Sequence, residues 1–127
     1  MDSKQECLSN KEFARRLEER TKRFAIQIIR LSSGLDRNPA SKVICYQLIK
    51  SATSIGANYR EANRAVSRAD FRAKISVCVK EASETQYWLE LLQESGLVNT
   101  SSVAGLHKEC SEFLALFSTI YQRSLKK

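Results

Sequence analysis

Between Phe71 and Leu92 the chain places Phe71, Ile75, Cys78, Ala82, Thr85, Leu89 and Leu92 in steps of four and three without a slip. That spacing keeps seven side chains on one stripe of an α-helix, whereas a strand would scatter them over both of its faces. The rhythm recurs three times. Ala14, Leu17, Thr21, Phe24, Ile28, Leu31 and Leu35 carry it first. Ile44, Leu48, Ala52, Ile55, Tyr59, Ala62 and Val66 carry it second, and Val103, Leu106, Cys110, Phe113, Phe117 and Ile120 carry it last. Four glycines and one proline in 127 residues leave few tight turns, which disfavours an all-β fold.

Polar punctuation separates the four stripes. "SNKE" at Ser9–Glu12 has the form of a capping box, and Gly34 stands where a left-handed residue would close the first helix. Asn38–Pro39 combines a good N-cap with a proline suited to the first turn. "SRAD" at Ser67–Asp70 is another cap, Gly96 a stop, and "NTSS" at Asn99–Ser102 a fourth start. Residues 1–127 therefore read as one all-α domain with helices over about 10–34, 39–66, 69–95 and 102–125. Short connections make successive helices antiparallel neighbours, which gives an up-down-up-down four-helix bundle. In that arrangement Glu61 is expected opposite Lys74, Glu84 opposite Lys50 or Ser51, and Asn58 near Ser76.

The second helix contains "SATSIGAN", small residues where Leu is usual. A glycine inside a helix costs roughly 1 kcal/mol against alanine. Gly56, one turn after Ala52, is thus expected to permit the close approach of another helix or of a large side chain. Tyr87 and Trp88 are the large candidates, and they point about 100° apart on their helix. A second stripe on that helix, Val77, Glu81, Glu84, Trp88 and Leu91, predicts a second partner. Ala52, Gly56, Tyr87 and Trp88 are the expected oligomer interface.

The residues for most enzymatic chemistry are missing. A di-metal carboxylate bundle needs Glu-x-x-His on two helices. The chain has one histidine, His107, and Ala104 lies three residues before it. Cys7, Cys45, Cys78 and Cys110 show no zinc-ligand spacing and read as thiols packed as small apolar groups. There is no phosphate-cradling glycine loop. Glu61, Glu81 and Glu84 fit registry pairing better than acid–base catalysis. The expectation is a non-enzyme with no cofactor and no metal. No apolar run reaches the ~20 residues that span a bilayer, and the start lacks a signal-peptide pattern, so a cytoplasmic protein without membrane contact is expected.

Charge supplies the functional candidate. Net charge is +7, with nine basic and two acidic residues over 37–80 but one basic and six acidic over 81–112. Arg60, Arg64, Arg68 and Arg72 recur every fourth residue and are joined by Lys74. Arg15, Arg16, Arg20, Lys22 and Arg23 form another cluster. Arginine forks along a stripe suit an RNA or DNA backbone without reading bases. The competing reading is a solvated face whose arginines pair with the acidic second half of a neighbouring subunit.

"RTKRFAIQIIRL" at Arg20–Leu31, "QLIKSATSIGANYREANRA" at Gln47–Ala65 and "DFRAKISVCVKEASETQYWLELL" at Asp70–Leu92 resemble the 23S rRNA intervening-sequence protein family, small bacterial four-helix bundle proteins. The resemblance implies a left-handed antiparallel bundle that assembles as a homopentamer. Bundles related to that family serve as accessory proteins of diversity-generating retroelements, where a basic pentamer contacts reverse transcriptase and nucleic acid. Two functions follow as expectations. One is a non-enzymatic oligomeric scaffold that binds RNA or DNA backbone. The other is a protein-binding adaptor, such as an accessory subunit of a retroelement reverse transcriptase.

Overall fold

The computed structural model describes the backbone of residues 3–126 and the side chains of residues 10–99 and 101–126. Four helices follow in order: α1 (Ser3–Ser33), α2 (Pro39–Ala62), α3 (Arg68–Ser95) and α4 (Thr100–Ser124). No strand occurs among the described residues. α2 packs on both α1 and α3, α3 packs on α4, and α1 closes the bundle against α4.

The caps explain most boundaries. Asn38 accepts from the Ser41 backbone N–H at 2.9 Å, while the Ser41 hydroxyl receives the Asn38 N–H at 3.0 Å. This reciprocal pair satisfies two orphan donors at the start of α2, and Pro39 follows at the position that needs no N–H. Ser67 accepts from the Asp70 N–H at 3.0 Å and opens α3. Gly96, at φ 77°, closes it in the left-handed conformation that glycine adopts without a Cβ clash. Asn99 caps α4 through the Ser101 N–H at 3.1 Å.

Three boundaries differ from the sequence reading. α1 begins at Ser3 and runs unbroken through Ser9, so Ser9–Glu12 lies inside the helix and is not its start. The Ser9 side chain falls outside the described residues. Glu12 instead binds Arg15 at 2.6 Å and Arg16 at 2.9 Å, pairs one turn apart that sustain the helix. Gly34 follows α1 without positive φ; among the described residues only Gly96 has it. α2 stops at Ala62 rather than near residue 66, because residues 63–67 form the turn into α3. Val66, assigned to the core stripe, is consequently 93% exposed.

The rest of the stripes meet as one core. Leu17, Phe24 and Ile28 of α1 join Leu48 and Ile55 of α2, Ile75, Leu89 and Leu92 of α3, and Phe113 and Phe117 of α4, all buried. Phe24 meets Phe113 edge-on with ring centres 5.3 Å apart, and Tyr59 meets Phe117 at the same distance. The edge-on Phe24–Phe113 pair aligns the positive ring edge with the negative face. Register between α2 and α3 is held by hydroxyls rather than the expected ion pairs. The Thr85 hydroxyl is hydrogen-bonded to the Ser51 hydroxyl at 2.8 Å, both side chains being buried. Among the described residues neither Glu61–Lys74 nor Glu84–Lys50 lies within ion-pair distance.

Candidate nucleic-acid interface

The α2–α3 turn and the last turn of α4 share one end of the bundle. Arg68 and Arg72, on the first turns of α3, reach across to α4. An Arg68 Nη donates to the Lys126 carbonyl at 2.7 Å, and an Arg72 Nη donates to the Ser124 carbonyl at 3.2 Å. The last carbonyls of a helix lack intrahelical partners and carry the negative end of its dipole, so the Arg72 guanidinium is well placed at Ser124, while the Lys126 carbonyl lies just beyond α4. The Nε of Arg72 is buried with no partner.

The arginine ladder is therefore divided among three tasks. Arg60, in the last turn of α2, points to Glu18 of α1 at 3.6 Å. Glu18 also accepts from the Asn63 side chain at 2.9 Å, which ties the end of α2 to α1. Arg64 sits in the turn, exposed and without an intrachain ion pair among the described residues. Arg68 is exposed, while Arg72 and Lys74 are partly buried. A four-residue repeat makes one stripe only within one helix, and the turn at 63–67 redirects it.

The end face nonetheless concentrates cations. Arg64 in the turn, Arg68 at the start of α3, Arg123 in the last turn of α4 and Lys126 just beyond it are all exposed, Arg68 reaching the Lys126 carbonyl, with Asp70 bound back to the Val66 N–H at 3.3 Å. A groove of about 460 Å³ lies here, lined by Asn63, Val66, Arg68, Phe71 and Ser124 among others. Exposed Val66 and Leu125 add apolar surface at the same end.

The first-helix cluster is mostly consumed within the chain. Arg20 forms a fork with Glu109, at 2.8 and 2.6 Å, and a further bond to Glu112 at 2.8 Å. Its guanidinium lies 4.9 Å from the Phe113 ring centre. Bonding to Glu109 holds the Arg20 pKa above its ordinary value. The acidic second half thus meets an arginine of its own chain, a contact between residues 89 positions apart that no local pattern announces.

The expected oligomer interface is also redistributed. Ala52 is completely buried in the chain's own core and leaves no surface for a second copy. Gly56 admits α1: a Cβ built on it would stand 3.1 Å from the Thr21 hydroxyl. Trp88 is partly buried against the core, its Nε1 without a partner, whereas Tyr87 is 55% exposed and stacked edge-on against Trp88 at 5.1 Å.

Among the described residues no group of three or more His, Cys, Asp and Glu is placed to hold a metal ion. His107 instead meets Glu90 at 2.9 Å between α3 and α4. Burial pushes the Cys78 and Cys110 thiols up to about 12. Their sulfurs face the Ile55 and Ala82 carbonyls, in keeping with packing rather than nucleophilic roles. No described helix is long and apolar enough to cross a membrane.

Comparison with known proteins adds the following. A family model described as 23S rRNA-intervening sequence protein matches residues 8–119. A crystal structure from Bacteroides thetaiotaomicron, a protein with unknown function from the S23 ribosomal protein family, superposes with a TM-score of 0.78. It is 35% identical in sequence, and the match covers 86% of this chain and 97% of that one. Among curated proteins none matches the chain.

Proposed function

The chain belongs to the 23S rRNA-intervening sequence protein family, and from that premise we propose a non-enzymatic, homopentameric helical scaffold that binds the RNA or DNA backbone through one end of its bundle. The observation that carries this reading is that Arg64, Arg68, Arg123 and Lys126 are all exposed and belong to the α2–α3 turn, the start of α3 and the close of α4, which share that end. Guanidinium and ammonium groups on an open face neutralise phosphates and release their counterions, without a requirement for base contacts. Assembly multiplies the effect, because each subunit brings one such end to the same strand.

Exposed apolar side chains support the oligomer. Ile26 and Ile29 of α1, Val43 and Tyr46 of α2 and Tyr87 of α3 are each at least 39% exposed. The proposed number of five comes from the family resemblance.

Arg64 and Arg123 serve the test, because among the described residues neither side chain bonds a backbone carbonyl, as those of Arg68 and Arg72 do. Titration of a fluorescent random single strand at several salt concentrations is expected to show affinity that falls steeply with salt. Arg64→Gln with Arg123→Gln is expected to weaken binding to all sequences alike and to flatten the salt slope. Absence of salt-dependent affinity, together with a stable protein partner in pull-down, would favour the adaptor reading, with a reverse transcriptase subunit as the partner to seek.

A further inference from the structure

We infer, resting on the backbone-binding reading above, that the groove at the α2–α3 turn seats an unpaired base of the bound strand, so that this end of the bundle selects single strands over duplexes.

Val66 immediately precedes the Ser67 cap and Phe71 follows it by four residues. These are the two positions at which apolar side chains ordinarily close a staple over a helix start. The polar parts of that start are in place: Ser67 accepts the Asp70 N–H at 3.0 Å, and Asp70 accepts the Val66 N–H at 3.3 Å. The staple itself is open. Val66 is 93% exposed, while Phe71 is partly buried against the core. Both line the groove of about 460 Å³, and Ala62 and Ala65 extend its apolar wall. That volume falls within the roughly 300–1,000 Å³ of clefts that take small-molecule-sized ligands. The walls are also preset. The Arg64 and Ala65 N–H groups bond the Glu61 and Ala62 carbonyls at 3.0 and 3.1 Å, and the Phe71 N–H bonds the Ser67 carbonyl at 3.0 Å. Little backbone ordering is left for a ligand to impose.

Charge and shape together select the occupant. Arg68 lines the groove, Arg64 lies between the lining residues Asn63 and Ala65, and Arg123 precedes the lining Ser124. Arg64 and Arg123 are exposed and form no ion pair among the described residues. The carboxylates nearby in the chain are exposed Glu61 and Asp70, and Asp70 is engaged by the Val66 N–H. An apolar slot bordered by cations suits a ligand that is flat and apolar on its faces and anionic at its linkage. A free phosphate would gain nothing from Val66 and Phe71, and an apolar ligand nothing from the arginines; a nucleotide within a strand uses both. In a duplex the faces of a base are covered by its neighbours in the stack, whereas a single strand offers them to the protein. The Ser67 hydroxyl has no acceptor of its own among the described residues. It is a donor that the ring nitrogens or carbonyls of any base can accept, so the selection is for an unpaired base rather than for a sequence.

A short oligothymidylate and a strand of equal length with abasic sugars carry the same phosphates and test the assignment without altering the protein. By fluorescence titration across salt, the wild type is expected to bind the oligothymidylate about fivefold or more tightly than the abasic strand, as one stacked base contributes, with equal salt slopes. Val66→Ala trims the exposed wall and leaves the cap bonds, so helical circular dichroism is expected to be unchanged. It is expected to weaken oligothymidylate binding about threefold, the worth of two methyl groups partly withdrawn from water. Its affinity for the abasic strand and for a blunt duplex is expected to equal that of the wild type. Equal affinity of the wild type for the two strands would overturn the base site and leave the phosphate contacts standing. A preference for bases that Val66→Ala does not reduce would overturn this groove as its place. An equal loss on strand and duplex would overturn the selection between them. Absence of salt-dependent binding to any of the three probes would overturn the backbone reading along with this one.

Discussion

Cys78 and Cys110 show how a titratable side chain becomes a packing group. Both are fully buried, and an ionised thiol in that core would lose its hydration without gaining a cation. In the unfolded chain these thiols ionise from about pH 9, while in the folded chain they resist to about 12. Between those values the unfolded state binds fewer protons, so native stability falls as pH rises. Cys110→Ser keeps a donor for the Ala82 carbonyl and does not titrate in this range. Denaturant midpoints at pH 8 and pH 10.5 are expected to differ less for Cys110→Ser than for the wild type. An equal difference would remove the thiol from the account. Maleimide labelling at pH 8, mapped by mass, is expected to modify Cys45, which is partly exposed, and to spare Cys78 and Cys110 until the chain unfolds.

At the scale of the helices, the stripe spacing revealed most of the fold. All seven positions from Phe71 to Leu92 reach the core or its edge, because a helix uninterrupted over that span converts spacing into one face. The stripe through Val66 failed because apolar spacing continues by chance across a turn that the Ser67 cap requires. The four-residue spacing of Arg60, Arg64, Arg68 and Arg72 also continues across that turn, so these arginines do not share one stripe, and the contacts of Arg68 and Arg72 to Lys126 and Ser124 cross more than 50 positions. Gly56 was legible as a close approach but not as to which helix approaches. Because α1 lies over it, Gly56→Leu drives side-chain atoms into Thr21, whose hydroxyl is already bound to the Leu17 carbonyl at 2.9 Å. The expected cost is about 1–3 kcal/mol, read as a lower denaturation midpoint. A neutral result would show that α1 can shift without loss. Arg72→Gln removes the bond to the Ser124 carbonyl and is expected to speed hydrogen exchange in the last turn of α4, with the rest of the helix unchanged. Uniform exchange along α4 would mean that the contact does not hold that end.

For the whole molecule, the charge pattern resolves into an inner and an outer part. Arg20 spends its charge on Glu109 and Glu112 to fasten α1 to α4 and Arg68 turns its guanidinium to the Lys126 carbonyl, while Arg64, Arg123 and Lys126 are exposed at one end without an ion pair among the described residues. Sequence could show that the chain is basic and segregated; it could not show which cations remain free, since that depends on which helix ends meet. The central claim is that this end binds a nucleic-acid backbone, and salt dependence tests it most directly. The affinity of the intact assembly for a random single strand is measured from low to high salt. On a log–log plot the wild type is expected to fall with a slope of roughly −0.7 for each phosphate contacted. The Arg64→Gln, Arg123→Gln double variant is expected to have a shallower slope, a weaker affinity and an unchanged assembly mass. Identical affinity and slope for wild type and variant, in assemblies of the same mass, would contradict the claim.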